Sequence, residues 1–268
     1  MKIHHLNCGV IQGLHVCGEH LICHCLLIET DNSGLVLVDT GLGAQDLINP
    51  VPRFGKAFSW IYARPKLDAN LAAVTQIRKM GFDPKDVRHI ILTHMDLDHV
   101  GGLVDFPHAQ VHVHRSEYES AIQSSSFKGK RRYMSPMWAH KPNFTTYLEG
   151  GEKWMGFDSI QQLKGLPPEI LLIPTMGHTR GHTAVAIQTG GQWLLHAGDA
   201  YFDHREVHED KRHCSLLLET FQLFNQTDRK LRLYNQDRLR DLVHSRPDVK
   251  VFSAHNPIEL KEMKIHID

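Results

Sequence analysis

The chain has 268 residues, of which 41% are hydrophobic, and its 30 Lys and Arg residues balance 30 Asp and Glu residues. This length is enough to bury a large core, so residues 1–268 are expected to form a single domain. Because the balanced charge gives no basic field for a phosphate backbone, the composition argues against nucleic acid as a partner.

The N-terminal residues indicate the compartment. Residues 1–13, MKIHHLNCGVIQG, carry polar side chains and histidines where a secretory signal has a long apolar core. No stretch of the sequence approaches the length of a membrane span. We therefore expect a cytoplasmic protein that has no membrane partner. Its five cysteines are odd in number and lack CxxC spacing, which argues against a disulfide framework or a structural zinc knuckle.

Short apolar runs and helical patterns alternate along the chain, which is typical of an α/β protein. The predicted strands are 21–29, 35–38, 89–93, 111–114, 170–173, 183–188, 193–196 and 250–253. Helices are predicted over about 68–80, 213–224 and 236–244, and a further helix is predicted at a capping box of Ser116 and Glu119. Two halves of strands followed by helices favour two sheets packed face to face with helices outside, an αββα sandwich.

The segment from Phe127 to Phe157 is rich in Trp, Tyr, Arg, Gly and Pro and has no clear periodicity. This composition predicts a long insertion or loop over a site, the best candidate for substrate contacts. Side chains there that suit an anionic or amphipathic acyl substrate are Arg131, Arg132, Tyr133, Trp138 and His140. The alternative is a lid packed by its own aromatic residues.

The segment Thr93–Gly102 carries the strongest chemical signal in the sequence. It follows an apolar strand and places His94, Asp96, Asp98 and His99 within six positions. Alternate residues of an extended or turning segment share a direction while His99 points elsewhere, so one segment can serve two metal ions. The alternative is a polar loop in which Asp98 or His99 caps the following helix.

Three later segments weaken that alternative. His178 follows one predicted strand, Asp199 follows a second, and His255 follows a third. Each segment puts a metal-ligand type of residue just past a strand end, where open α/β sheets gather their ligands. The sequence therefore favours one site built from several strand ends.

These motifs, in this order, resemble the five signature motifs of the metallo-β-lactamase superfamily. They run from Leu37-Val38-Asp39-Thr40-Gly41 through H-x-D-x-D-H, G-H-T-x-G-H and G-D to the late His255. Within the superfamily the chain looks closest to the lactonase-like hydrolases, which share the strands at 26–29 and 37–41. The resemblance implies an α/β fold, the four-layer αββα sandwich of the metallo-β-lactamase type.

Carried over residue by residue, the resemblance implies a binuclear metal site. Seven side chains would be ligands: His94, Asp96 and His178 for the first ion, Asp98, His99 and His255 for the second, and Asp199 as a bridge between both. In the family pattern Asp39 orients a ligand or a water molecule, and His182 is usually structural.

Asp96 is the main departure from the family pattern, which is H-x-H-x-D-H with an imidazole at that position. A carboxylate hardens the site and adds negative charge, which favours Mn²⁺ or Fe²⁺ relative to the imidazole version and leaves Zn²⁺ open. The expected cofactors are thus two divalent metal ions: zinc, or manganese or iron. The family's di-iron flavoproteins also carry an acidic residue there, but this chain is too short for their appended flavin domain, so oxygen reduction is only a minor alternative.

The expected reaction is hydrolysis of a lactone or another carboxylic ester. Two ions about 3.5 Å apart can share a hydroxide at neutral pH, which would attack the carbonyl of a small-molecule substrate. Asp98 would carry the proton to the leaving group. Lactonase-like members often have a tyrosine shortly after the bridging Asp, so Tyr201 is the candidate for stabilising the oxyanion, the alternative being a tyrosine packed at a sheet end.

Three other functions stay open. The same two-metal site suits a small-molecule phosphodiesterase that works by in-line displacement. A non-catalytic metal-binding or ligand-sensing module is a second alternative, although a complete set of seven ligands argues against it. β-Lactam hydrolysis is the third, and Asp96 and the missing export signal both argue against it. The sequence also allows a homodimer, in which the apolar segment Trp60-Ile61-Tyr62 would contact a partner chain.

Overall fold

The computed structural model describes residues 1–56, 59–60, 63–123, 129 and 132–265. The strands within these residues are β1 (Lys2–Val16), β2 (Glu19–Glu29), β3 (Leu35–Val38), β4 (Val87–Ile91), β5 (Gln110–His114), β6 (Asn143–Tyr147), β7 (Ile170–Pro174), β8 (Thr183–Thr189), β9 (Gln192–His196) and β10 (Val249–Phe252). The α-helices are α1 (Val51–Phe54), α2 (Ala73–Lys79), α3 (Leu97–Val100), α4 (Arg115–Ile122), α5 (Leu216–Phe224), α6 (Arg229–Ser245) and α7 (Pro257–Ile265).

The strands form two sheets. The larger sheet has the order β1-β2-β3-β4-β5-β6, and the smaller has the order β10-β9-β8-β7. The strands β3 to β6 are parallel to one another, and β9 is parallel to β10. Because β7 and β9 both pair antiparallel with β8, they run in the same direction. The carboxyl ends of β7, β9 and β10 therefore lie at one edge of the smaller sheet.

Alternating side chains of the strands fill three apolar layers. Val36 of β3 and Leu172 of β7 belong to one buried cluster between the sheets. Their chain neighbours Leu37 and Leu171 face the opposite way, into clusters that include residues of α2 and α6 respectively. Because side chains alternate between the faces of a strand, each sheet packs against the other sheet on one face and against helices on the other. This confirms the predicted α/β class and the four-layer αββα sandwich.

The structure contains the predicted elements with shifted ends and one additional long strand. β1 has no counterpart among the predicted strands, because His, Asn and Gly interrupt its apolar residues. The helix predicted from 236 begins at Arg229, where the Asp228 side chain accepts a hydrogen bond from the Leu231 N–H. The helix predicted over 68–80 is a short 3₁₀ turn, Ala69–Leu71, followed by α2.

The capping box predicted for Ser116 and Glu119 is wrong. His114 is the N-cap of α4, and its Nδ1 accepts a hydrogen bond from the Ser116 N–H at 3.1 Å. Since an imidazole nitrogen supplies the capping acceptor, the helix starts one residue before Ser116. Glu119 lies exposed on α4.

The sequence predicted a loop over residues 127–157, but part of this segment is a strand. Its residues Asn143–Tyr147 form β6, which pairs in parallel with β5 at the edge of the larger sheet. Ser135–Trp138 form a 3₁₀ turn before that strand. The prediction failed here because an edge strand with mixed polar and aromatic side chains lacks the apolar run of a central strand. Residues 127–128 and 130–131, including Arg131, lie outside the described residues.

The segment suggested for a partner contact is described only in part. Trp60 is 53% exposed, whereas Ile61 and Tyr62 lie outside the described residues. Among the helices of the described ranges, none is long and apolar enough to cross a bilayer.

Candidate metal centre

Five strand ends deliver polar side chains to the predicted site. Asp39 follows β3, His94 follows β4, His178 follows β7, Asp199 follows β9, and His255 follows β10. The chain directions that place these ends together come from parallel pairing within each sheet. The predicted ligands of both metal ions therefore come from strands of two different sheets, and these strands are far apart in the sequence.

The first metal group consists of His94, Asp96, His178 and one oxygen of Asp199. Asp96 Oδ2 lies 3.3 Å from His94 Nε2 and 3.1 Å from His178 Nε2. Asp199 Oδ2 lies 3.8 Å and 3.3 Å from the same two nitrogens. Atoms that bind one ion tetrahedrally at about 2.0–2.2 Å lie roughly 3.3–3.6 Å apart. The spacing of these four atoms thus suits a single metal ion.

The second metal group consists of Asp98, His99, His255 and the other oxygen of Asp199. Asp199 Oδ1 lies 3.2 Å from His99 Nε2 and 3.1 Å from His255 Nε2. The two imidazole nitrogens are 3.3 Å apart, and Asp98 Oδ2 lies 3.5 Å from His255 Nε2. Asp199 therefore offers one carboxylate oxygen to each group, as a bridging ligand does.

The tautomers of two histidines test whether a cation fits the second metal group. His99 Nδ1 lies 2.8 Å from the Asp39 carboxylate, and His255 Nδ1 lies 2.6 Å from the Ile22 carbonyl oxygen. Since both partners are acceptors, each imidazole donates through Nδ1 and directs Nε2 at Asp199, where Nε2 can bind either a metal ion or a proton. The two Nε2 atoms and Asp199 Oδ1 are therefore arranged so that a metal ion can take the place of protons between them.

Two unpartnered buried atoms support the same conclusion. His94 Nε2 and Asp199 Oδ1 are buried and have no hydrogen-bond partner among the described residues. A buried polar atom without a partner costs about 1–3 kcal/mol, so such atoms are rare unless a ligand uses them. The residues of both groups therefore fit a pair of divalent cations. The cation of the first group would contact His94 Nε2, and that of the second group would contact Asp199 Oδ1.

The charges of the cluster couple metal binding to protons. Burial alone would raise the pKa of Asp199, but the imidazoles of His255 and His99 hold that pKa well below its usual range. Burial likewise opposes the charged form of His99, yet Asp199 and Asp39 outweigh it and raise the pKa of His99. A metal ion would have to displace protons from such imidazoles, so metal affinity should rise with pH.

Asp39 and His182 support the ligands without joining either group. Asp39 accepts hydrogen bonds from the Thr93 N–H and hydroxyl at 2.8 Å each, in addition to the bond from His99. His182 donates through Nδ1 to the Thr175 carbonyl and accepts at Nε2 from the Asp199 N–H. Both ring nitrogens of His182 are thus engaged with the backbone, which agrees with the structural role implied for it.

Glu117 is a supporting residue that the sequence did not reveal. Its Oε1 accepts from the Met95 N–H at 2.9 Å and from the Tyr133 hydroxyl at 3.1 Å, and its Oε2 accepts from the Gly181 N–H at 3.1 Å. A Cβ at Gly181 would lie 2.2 Å from the Glu117 nitrogen, so only glycine fits there. Glu117 therefore joins the H-x-D-x-D-H segment to the G-H-T-x-G-H segment. In the sequence it looks like any acidic residue in the first turn of a helix.

Arg132 connects the segment after α4 to the first metal group. Its Nε and Nη2 donate to the two oxygens of Asp96 at 2.6 Å each, and Nη2 also lies 2.7 Å from His178 Nε2. Its Nη1 donates to the Asn225 carbonyl at 2.8 Å. Burial would raise the pKa of Asp96, but the charge of Arg132 holds that pKa well below its usual range. The sequence pointed to Arg132 as a substrate contact, whereas the structure places it on a predicted metal ligand.

Tyr201 was predicted to stabilise the oxyanion, but the structure places its hydroxyl elsewhere. Its side chain is fully buried, and its hydroxyl donates to Glu259 at 2.7 Å. The hydroxyl is therefore engaged inside the core, which corresponds to the packed tyrosine named above as the alternative. The next residue, Phe202, stacks on the His255 ring with a centroid distance of 5.1 Å.

The capping alternative for the H-x-D-x-D-H segment does not match the structure. Asp98 and His99 lie inside α3, whose N-cap is Asp96, and the Asp96 side chain makes no capping hydrogen bond. Cys23 adds a neighbour that the motifs did not predict, because its Sγ lies within 4.8 Å of ligand atoms of Asp98 and His255. Burial raises the pKa of the Cys23 thiol above its usual range.

Comparison with known proteins identifies the family of the chain. A profile of the metallo-beta-lactamase superfamily matches residues 18–255. The chain belongs to this superfamily. It is 41% identical over 265 residues to a probable metallo-hydrolase of Mycobacterium tuberculosis, a match that covers 96% of this chain and 81% of the relative. It is 26% identical over 243 residues to an N-acyl homoserine lactonase of Bacillus thuringiensis, covering 90% of this chain and 84% of that one.

Solved structures share the fold. An N-acyl homoserine lactone hydrolase with N-hexanoyl-L-homoserine bound at its catalytic metal centre aligns with a TM-score of 0.70 at 23% identity, covering 97% of this chain and 95% of that chain. A dizinc quorum-quenching lactonase, AidC, aligns with a TM-score of 0.56 at 19% identity, covering 89% and 74%. The family and these relatives support a metal-dependent hydrolase built on the metallo-β-lactamase fold.

The bridging position of Asp199 predicts the effect of removing its carboxylate. We expect Asp199→Ala to lose both metal ions, because each group would lose an anionic ligand and keep mainly neutral imidazoles. Metal analysis of protein purified without chelator measures this directly. Asp31→Ala, at an exposed position, is the matched control and should keep the metal content of the parent. Two tightly held ions in Asp199→Ala would contradict the bridging assignment.

The contacts of Glu117 predict a loss of stability on truncation. Glu117→Ala leaves two buried backbone donors and the Tyr133 hydroxyl without their acceptor, which should lower the free energy of unfolding by about 3–5 kcal/mol. Urea unfolding of parent and variant under the same metal loading measures the difference. Glu119→Ala, two positions further on the same helix and exposed, should change it by about 0.5 kcal/mol or less. Equal losses in the two variants would show that Glu117 has no special role.

Proposed function

We propose that this protein is a hydrolase that uses two divalent metal ions to open a lactone or to cleave another carboxylic ester. The observation that carries the proposal is the division of Asp199 between the two metal groups. One of its oxygens lies 3.3 Å from His178 Nε2, and the other lies 3.1 Å from His255 Nε2. A carboxylate shared in this way is the arrangement by which two ions act on one small molecule.

Two bound ions would supply Lewis acidity for the carbonyl oxygen and a water-derived nucleophile at neutral pH. The protein's own groups would then manage the proton. In hydrolysis, water adds to the carbonyl, the ester C–O bond breaks, and the departing alkoxide takes up a proton. We assign that transfer to Asp98, whose side chain is 17% exposed whereas that of His255 beside it is 2% exposed. Asp98 is the carboxylate of the second metal group that a substrate can reach.

The ligand set bears on the choice of metal. Three carboxylates, of Asp96, Asp98 and Asp199, join four imidazoles in the two groups. The additional carboxylate at Asp96 favours harder ions such as Mn²⁺ or Fe²⁺ more than an all-imidazole first site would, while zinc suits the imidazoles. We therefore propose zinc, manganese or iron as the bound metal.

The substrate class is supported by the relatives and by the charge of the chain. Relatives named N-acyl homoserine lactonases match 90% or more of this chain at 26–28% identity. The balanced charge of 30 basic and 30 acidic residues offers no field for a polynucleotide. A small uncharged ester or lactone is thus the proposed substrate. A small phosphodiester is the second candidate, because the same pair of metal groups would serve in-line displacement.

The test combines metal analysis with a substrate panel. The protein is stripped of metal and reloaded with Zn²⁺, Mn²⁺ or Fe²⁺, and each form is assayed with N-acyl homoserine lactones, simple lactones, thioesters, a chromogenic β-lactam and bis(p-nitrophenyl) phosphate. We expect two metals per chain and the fastest turnover with a lactone or ester, and Asp199→Ala serves as the blank. Turnover of the phosphodiester alone would favour the second candidate. No turnover by any loaded form would refute a hydrolase.

A further inference from the structure

Arg132 forms a two-point ion pair with Asp96 inside the first metal group. Its Nε and Nη2 donate to Oδ1 and Oδ2 at 2.6 Å each, so both oxygens of this carboxylate are engaged. The side chains of Arg132 and Asp96 are only 16% and 18% exposed. A paired fork of this kind is short and strong, and partial burial reduces its screening by water.

Arg132 contacts atoms that are also predicted to bind the first metal ion. Asp96 Oδ2 and His178 Nε2, which are 3.1 Å apart, belong to the first metal group. Arg132 Nη2 lies within hydrogen-bond distance of both atoms, at 2.6 Å and 2.7 Å. The guanidinium and the first metal ion would therefore draw on the same negative charge and on the same imidazole.

No comparable cation from the described residues lies at the second metal group. Among the described residues, the ion pairs of Asp98 involve only His255, which is itself a predicted ligand. Arg132 is also anchored from outside the site, because its Nη1 donates to the Asn225 carbonyl next to α5. Within the part of the chain that the structure describes, only the first metal group therefore has a permanent positive charge built into it.

We propose that Arg132 is an internal counter-cation that competes with the first metal ion for Asp96 and makes the first metal group the weaker of the two. This inference rests on the two-metal site of the proposed function. It assigns to Arg132 the role of a positioning residue that sets the order of metal loading. The second metal group fills first, and the first group holds an ion that exchanges more readily.

The physical basis is thermodynamic linkage. Arginine keeps its charge at any pH the protein meets, so it neutralises Asp96 whether or not metal is present. Any interaction that stabilises the metal-free protein more than the metal-bound form lowers metal affinity by the same factor. A divalent ion that binds Asp96 must share its charge with the guanidinium and is repelled by it. Removing Arg132 should therefore destabilise the metal-free protein and strengthen metal binding at the first group.

The pairing also accounts for the departure at Asp96. An imidazole at that position would be neutral and would offer the guanidinium no carboxylate to pair with. A buried carboxylate without a partner would be costly in the metal-free protein, and Arg132 removes that cost. Asp96 and Arg132 are therefore expected to act as a matched pair, so that the effect of one depends on the presence of the other.

The experiment measures metal affinity rather than turnover. Metal-free parent, Arg132→Met, Asp96→His and the double variant are titrated with Zn²⁺ in competition with a chromogenic chelator, which resolves the dissociation constants of the two sites. Urea unfolding of each metal-free protein is measured in parallel. Arg246→Met, which removes an exposed arginine paired with Asp248, is the matched control.

In the parent we expect two separate binding steps. Arg132→Met should tighten the weaker step by about tenfold or more, leave the tighter step within about threefold, and lower the urea midpoint of the metal-free protein. In the Asp96→His background the same substitution should change either step by less than about threefold. Arg132→Lys, which keeps the charge but loses the two-point contact, should lie between parent and Arg132→Met, and it provides the test if the methionine variant does not fold.

The outcomes separate the inference from the proposed function. If parent and variants bind two ions and Arg132→Met leaves the weaker step unchanged or weakens it, Arg132 is not a competitor and the inference is wrong while the two-metal site stands. An equal effect of the substitution in the Asp96→His background would also overturn it. If no form binds a second ion, the proposed two-metal function fails, and the inference fails with it.

Discussion

The site depends on one buried charge, the carboxylate of Asp199. It is almost fully buried, its Oδ1 has no hydrogen-bond partner among the described residues, and it faces imidazole nitrogens on both sides. A buried carboxylate is tolerated only where cations or donors surround it. Because His99 and His255 donate through their other nitrogens, their Nε2 atoms can bind a metal ion in place of a proton. The arrangement makes physical sense once a cation lies on each side of Asp199.

The surrounding fold serves to hold these acceptors in place against their mutual repulsion. The backbone of Asp199 donates to His182, and a Cβ at the preceding Gly198 would lie 2.6 Å from the same ring nitrogen. Glu117 likewise joins Met95 to Gly181 through hydrogen bonds. Met95 follows a strand of the larger sheet, and Gly181 follows a strand of the smaller sheet. Close backbone contacts and the buried Glu117 carboxylate thus make the segments that carry the candidate ligands more rigid than short loops alone would be.

The Asp96–Arg132 pair illustrates how a change in one ligand propagates through the structure. Replacing a neutral imidazole with a carboxylate changes the charge of the first metal group, and a guanidinium from a segment 36 residues away meets that charge. The two metal groups are consequently unequal even though Asp199 serves both.

The sequence by itself determined the class of fold and predicted which residues gather at the candidate metal centre. Strands such as β3 and β7 are continuous apolar runs, and candidate metal ligands such as His94 and Asp199 come shortly after strands. Both signals are local, since they depend on a few consecutive residues and on where a strand ends. For that reason they could be read without knowing which strands are neighbours.

Only the tertiary structure decided which side chains support the ligands. Glu117 bonds to residues 22 and 64 positions away, and nothing in its own helix marks it as different from the exposed Glu119. Tyr201 is close to Asp199 in sequence, yet packing turns its hydroxyl to Glu259, 58 positions away. Arg132 stood out as a cation, but its partner is fixed by the fold. The physical reason is that a motif specifies residue types at a strand end, whereas the direction and partner of each side chain depend on elements brought together only by folding.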